Sequence, residues 1–395
     1  MTESNIVLHQ GREKSIFRRH PWIFSGGIAR VDGNPKGGDI VAVRAENGVF
    51  LARGYWNSRS QIQVRVLSFD DVEINKEWWK AMIVRAIEAR KHLTTNAYRV
   101  INAENDFLAG LIVDKYGDWL VLQALTLHVD KNKRELAEWL MEITGARGVF
   151  ERSDADVRGK EGLKPSIGVL VGEAPLKHII IDEGVKFAVD VYKGHKTGMY
   201  LDQRENRQLL GRLLEQEPNL TEILNVFSYS GGFGLHALKH PHTHVVNIDS
   251  SADALELGRD NLRVNRFNDG RADFVQADVF DELRHRARRN EQVDVVVLDP
   301  PKFAHTQGQV DKAAKGYKDI NLNGFKLVKK GGYMLTFSCS GAISPDLFQK
   351  IVFGAMEDSG RDAQVVRTLG AGDDHPVALS FPEGAYLKGL MLRVY

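Results

Sequence analysis

The sequence predicts an α/β fold: a mostly parallel, doubly wound sheet in the C-terminal half, preceded by a small β domain and an α+β central domain. Three observations carry this expectation. From Glu222 to Ser340, short apolar runs alternate with helical patterns, the arrangement that builds a parallel sheet. The first 72 residues alternate as strands around an Asn47-Gly48 turn, and the stretch between mixes amphipathic helix with hairpin. The expected domains are residues 1–72, 73–190 and 191–395, and 395 residues suit two or three domains.

Composition narrows the class. With 43% hydrophobic and 27% charged residues the chain is globular rather than disordered. Lys and Arg number 53 against 52 Asp and Glu, so any nucleic-acid surface must be local. The one cysteine, Cys339, excludes a disulfide framework and a cysteine-based zinc site. No metal is expected: His240, His242 and His244 alternate at a helix-to-strand turn and read as a solvated loop. No signal segment or long apolar stretch is apparent, so a soluble, cytoplasmic protein without membrane contact is expected. A homodimer is compatible with an aromatic-rich surface, but no residue pattern specifies one.

In chain order, Arg12, Lys14, Arg18 and Arg19 open the small β domain, followed by Pro21-Trp22-Ile23-Phe24. Basic groups interleaved with aromatics suit an RNA surface, phosphates taking the charge and rings taking bases or sugars. A solvated face beside a core Trp22 fits equally well. Residues 77–93 place Trp78, Met82, Ile83 and Ile87 at helical spacing, and a second helix is expected near Lys131 to Ile143. At the junction GHKTGMYLDQR, Lys196, Gln203 and Arg204 are candidate site residues; a linker capped by Asp202 is the plainer reading.

The C-terminal segments carry the chemistry. Ile223 to Phe227 is an apolar run that stops at Ser228-Tyr229-Ser230-Gly231-Gly232 before a helical pattern. Glycines allow close backbone approach to a ligand, and the turn lacks the dinucleotide-binding and P-loop spacings. The next run ends at Asp249-Ser250, about 20 residues on, where an acid can accept from both hydroxyls of a ribose. A third ends at Asp278, suited to an adenine amino group. A fourth, Val293 to Leu298, is almost wholly apolar, as a strand covered on both faces should be, and leads into Asp299-Pro300-Pro301-Lys302-Phe303. Two prolines stiffen that loop, which can present a carboxylate and an aromatic beside a flat substrate. The fifth run delivers Ser338-Cys339-Ser340. A solitary cysteine is usually a small buried hydrophobe, but a thiol at this sheet edge can also attack a substrate held against Phe303.

This order of segments resembles the class I S-adenosylmethionine-dependent methyltransferases, which implies a Rossmann-like sheet and S-adenosylmethionine bound by Phe227, Ser228, Gly231, Gly232, Asp249, Ser250, Asp278, Asp299, Gln203 and Arg204. GREKSIFRRHPWIFSGGI, with GYWN and QIQVRV, resembles the PUA domain, an RNA-binding pseudobarrel. Together with GYKDIN and FSCSG, the ordered motifs are similar to a family of bacterial 23S ribosomal RNA methyltransferases that make 5-methylcytosine. That resemblance implies Cys339 as nucleophile, Asp299 opposite N3 and the exocyclic amine of cytosine, and RNA contacts from Arg12, Lys14, Arg18, Arg19, Lys196, Pro300, Lys302 and Phe303. Related 5-methylcytosine enzymes carry a second cysteine where this chain has Pro301, so Cys339 must act without one. Two other readings stand beside it: an RNA base N-methyltransferase centred on Asp299-Pro300-Pro301, with Cys339 inert, and a non-catalytic RNA-binding assembly factor.

Overall fold

The structure, a computed structural model, describes residues 4–175, 178–192, 194 and 196–395. The chain divides into two units, one of Met1–Ile180, Val189–Leu201 and Asp373–Gly384, the other of Ile181–Ala188, Asp202–Gly372 and Ala385–Tyr395.

The first unit holds two sheets with separate cores. Strands β1 (Asn5–Leu8), β2 (Trp22–Phe24), β3 (Ile28–Asp32), β4 (Ile40–Arg44), β5 (Phe50–Trp56) and β6 (Ile62–Ser68) form a six-stranded sheet in the order β2-β6-β5-β4-β1-β3. Its core is Ile6, Leu8, Ile23, Val41, Val43, Val64 and Val66. The short helix α1 (Lys14–Phe17) inserts only Ile16 into that core and leaves Arg12, Lys14, Arg18 and Arg19 exposed. Strands β7 (Ala97–Asn102), β8 (Leu111–Tyr116), β9 (Trp119–Ala124), β10 (Gly148–Ser153) and β11 (Ser166–Gly172) form the second sheet. It is packed by α2 (Lys76–Glu88) and α3 (Leu127–Thr144), the latter starting a turn before the expected Lys131 because Thr126 already has extended backbone at the cap. A buried ion network ties the two sheets. Arg65 pairs with Glu104 at 2.7 Å and Glu161 at 3.0 Å, and the Trp22 indole donates to Glu104 at 2.8 Å. Trp22 is therefore a structural residue in this unit rather than a base platform.

After the hairpin β12 (His178–Asp182) and β13 (Val185–Val189), the second unit is doubly wound. Strands β14 (Glu222–Val226), β15 (His244–Asp249), β16 (Ala272–Gln276), β17 (Val293–Leu298), β18 (Val328–Ser338), β19 (Ala363–Gly370) and β20 (Lys388–Val394) take the order β16-β15-β14-β17-β18-β20-β19. The first five run parallel; β20 is antiparallel to both neighbours. Insertion of β20 between β18 and β19 is a long-range pairing that no local pattern encodes.

Both faces are covered. Ile223, Val295 and Val297 face Leu210, Leu214, Phe233 and Leu262 of α4 (Arg204–Gln216), α5 (Gly232–Leu238) and α6 (Ala252–Asn265). Leu224, Val226, Val296 and Leu298 face Leu283, Tyr317, Ile320, Phe348 and Val352 of α7 (Val279–Arg288), α8 (Val310–Leu327) and α9 (Pro345–Ser359). Alternate residues of each strand thus serve opposite cores, which explains the near-continuous apolar runs. The carboxyl ends of β14 to β18 consequently share one edge, and a topological switch lies between β14 and β17.

Candidate active site

The glycine turn starts the edge. Strand β14 ends at Val226, and Phe227 and Tyr229 then adopt left-handed backbone, φ 58° and 47°. Such conformations cost on the order of 1 kcal/mol each and persist only where neighbours enforce them. Asp249 is the enforcing group: its Oδ2 accepts the Tyr229 N–H at 2.8 Å and its Oδ1 accepts that of Ser251 at 2.9 Å. The carboxylate fixes the turn yet keeps lone pairs for hydroxyl donors. Gly231, at φ 80°, begins α5 in a conformation that favours glycine. Ser228 is 6% exposed, and its Oγ has no hydrogen-bond partner among the described residues. An orphaned hydroxyl beside open N–H groups fits a polar ligand.

Of the other expected cofactor residues, Ser250 is exposed on the loop after β15, and Asp278 is exposed at the start of α7, where one oxygen caps the helix at 3.1 Å. Gln203 is buried rather than displayed: its Nε2 donates to Asp299 Oδ1 at 2.8 Å, while its Oε1 accepts from Asn206 at 2.6 Å. Arg204 is buried and pairs with Glu205 at 3.0 Å. Each is thus bonded to a half-buried acid.

At the end of β17, Asp299 leads into buried Pro300 and exposed Pro301 and Lys302. Phe303 is half-buried in an aromatic cluster, 4.7 Å from Tyr317, 5.8 Å from Phe280 and 6.3 Å from Phe227 between ring centroids. Its ring stiffens the loop more than it offers an open stacking face. Ser340 Oγ accepts the N–H groups of Phe303 and Ala304, both at 3.1 Å, and meets the Tyr317 hydroxyl at 2.9 Å. The same tyrosine takes the Ser338 hydroxyl at 2.9 Å. Residues on both sides of Cys339 are thus fastened to α8 and to the proline loop.

Cys339 follows β18 and is half-buried, its Sγ 3.9 Å from the Pro300 carbonyl oxygen. The sequence reading missed Lys388, at the start of β20 opposite Ser338. It is 7% exposed and donates to the carbonyls of Ser340 and Ile343, both at 2.8 Å. Burial pushes its pKa down to about 8, against the counter-effect of Cys339 and with a further lowering from Lys302. Its only signal in the sequence was a charge opening an apolar strand, which usually marks a solvated strand end.

The remaining candidates lie in the first unit. Arg12, Lys14, Arg18 and Arg19 are exposed with Phe17, Arg19 stacking 4.7 Å over Phe69. Lys196 is exposed and stacks 4.5 Å over Tyr200. Among the described residues no group of three metal-ligating side chains occurs, and no helix is long and apolar enough to cross a membrane.

A doubly wound sheet of this order, with a glycine turn, an acid at the end of the next strand and a D-P-P loop on one edge, defines an S-adenosylmethionine-dependent methyltransferase. The chain matches that family over residues 162–393 and the PUA-like domain over residues 6–69. It belongs, within that class, to the family whose members are named ribosomal RNA large subunit methyltransferase I. It is 45% identical to the Aeromonas salmonicida (strain A449) member over 98% of both chains, and 46% identical to that of Shewanella amazonensis over 99% of both. Among solved structures, a Streptococcus mutans chain assigned to the S-adenosylmethionine-dependent methyltransferases superposes with a TM-score of 0.81 at 20% identity, covering 98% of this chain and 99% of that one. A chain complexed with SAH gives 0.83 at 20% identity and the same coverage. S-adenosylmethionine is the cofactor. Ser228, Gly231, Asp249 and Asp299 lie together past the carboxyl ends of β14, β15 and β17.

Proposed function

We propose that this chain methylates carbon 5 of a cytosine in 23S ribosomal RNA, with Cys339 as nucleophile. The observation that carries the reading is the placement of the Cys339 thiol against the Pro300 carbonyl, on the sheet edge that also bears Asp299 and the glycine turn. The relatives' names supply ribosomal RNA as the substrate class, and such a substrate goes with a cytoplasmic protein.

Carbon 5 of cytosine is too weak a nucleophile until a thiolate adds to carbon 6 and leaves carbon 5 enamine-like. Cys339 provides that thiolate. Asp299, held by Gln203, accepts from the exocyclic amine and passes a proton to N3, orienting the ring and neutralising the negative charge that addition places on it, and takes that proton back when the ring is restored. Bound S-adenosylmethionine supplies the electrophilic methyl group. Loss of the carbon 5 proton then expels the thiolate and restores the ring. Exposed Arg12, Lys14, Arg18 and Arg19, with Phe17, give the RNA backbone a basic ridge on the PUA-like sheet.

Digestion of RNA methylated with labelled cofactor tests the reading. The label is expected in 5-methylcytosine. Label on an amino or ring nitrogen would instead support an N-methyltransferase centred on Asp299.

A further inference from the structure

We propose that Lys388 is a positioning residue for this reaction, its ammonium keeping Cys339 ionised and pinning the turn that presents it. The inference rests on the cysteine-nucleophile reading above and adds what activates that nucleophile.

A buried ammonium is costly unless paired. Among the described residues Lys388 forms no salt bridge with a carboxylate; it donates to two carbonyls of the segment that follows Cys339. Those two bonds use two of its three N–H groups. The acid whose charge favours the ammonium is Cys339. The preference is reciprocal, because whatever the thiolate does for the ammonium, the ammonium does for the thiolate.

Of the other titratable groups around the thiol, Lys302 and Tyr317 fit this arrangement, and the negative charge of Asp299 works against it. Lys302, on the proline loop, adds positive charge near Lys388. The Tyr317 phenol, on α8, is pushed up by burial and stays a neutral hydroxyl bonded to Ser338 and Ser340. Asp299 precedes Pro300, whose carbonyl the thiol meets, and is engaged by Gln203. The position next to Pro300 is a second proline rather than a second thiol. The thiol proton leaves to solvent, and the thiolate returns unchanged when the carbon 5 proton is lost, so the cycle balances without an added reagent.

Because Cys339 is the only cysteine, alkylation of the full-length protein by iodoacetamide reports its ionisation directly. The wild-type rate is expected to rise with a midpoint below the ordinary thiol value of about 8.5. In Lys388→Met the midpoint should rise by about one unit and the rate at pH 7 fall roughly tenfold, while Lys388→Arg should keep the lower midpoint. Turnover of Lys388→Met should fall, with KM for RNA unchanged, and recover as pH is raised. Thermal unfolding and cofactor binding establish that each variant is folded. Superimposed alkylation profiles for wild type and a folded Lys388→Met, or a wild-type midpoint at 8.5 or above, would overturn the proposal. Failure of the nucleophile reading shows separately, as undiminished 5-methylcytosine formation by Cys339→Ala.

Discussion

Gln203 donates its side-chain N–H to Asp299 at 2.8 Å, joining the residue that precedes α4 to the acid that follows β17. The amide is itself fixed by Asn206, so the carboxylate is held in one orientation. A hydrogen bond to a charged group contributes roughly 1.5–3 kcal/mol. Gln203→Leu should therefore lower methyl transfer about 10- to 100-fold in a folded protein. Initial rates at saturating RNA and cofactor measure this, and an unchanged rate would show that Asp299 needs no such support.

Asp249 fixes the glycine turn, and in the proposed reading it also binds the cofactor. Asp249→Ala releases the Tyr229 and Ser251 N–H groups and would remove the proposed ribose contact. Its dissociation constant for S-adenosylmethionine should rise about 100-fold or more, the effect of losing two or more charge-assisted bonds. Asp249→Asn, with one acceptor oxygen left, should lie between. Calorimetric titration of both variants decides it.

Ser340 holds the proline loop to the strand that precedes Cys339. Ser340→Ala leaves the Phe303 and Ala304 N–H groups without their acceptor and should cost about 1–3 kcal/mol. Denaturant unfolding measures the loss, and slower alkylation or turnover at Cys339 should accompany it.

Asp294 gives a pH signature. Burial works against its charge, but Lys329 at 2.8 Å and the N–H groups of Glu222 and Thr221 hold its pKa below the usual carboxylate value. A depressed folded value means stability that is full above the unfolded pKa of about 3.9 and lost as pH falls through the folded one. Asp294→Asn should destabilise by about 1–3 kcal/mol at pH 7, with the gap from wild type closing below pH ~3. A gap that does not change with pH would contradict this.

The basic ridge on the PUA-like sheet predicts salt-dependent RNA binding. If Arg18 and Arg19 each neutralise a phosphate, replacing both with alanine should reduce the slope of log affinity against log salt by about 1.4–1.8. Filter binding across a salt series tests this, and a parallel line would place the RNA elsewhere.

The sheet edge was legible because local signals coincide there. Strands β14 to β18 appear as apolar runs, each ending in residues too polar or too strained for the core, such as Ser228, Asp249 and Asp299. The position of β20 against β18 was not legible, since antiparallel pairing across some 50 residues leaves no periodic trace. For the same reason Lys388 went unseen: its burial comes from Ser338 opposite and from the turn through Ile343. Phe303 shows the converse. Its exposure was inferred from the prolines before it, whereas Phe227, Phe280 and Tyr317 close around the ring from three other elements.

Ribosomal RNA containing 5-fluorocytidine tests the central claim most directly, because fluorine at carbon 5 cannot leave as a proton and the thiol adduct persists. With S-adenosylmethionine present, wild type should form a covalent protein–RNA complex whose crosslinked peptide contains Cys339, and Cys339→Ala should bind cofactor but form no complex and no 5-methylcytosine. An adduct on another residue, or full methyl transfer by Cys339→Ala, would contradict the account.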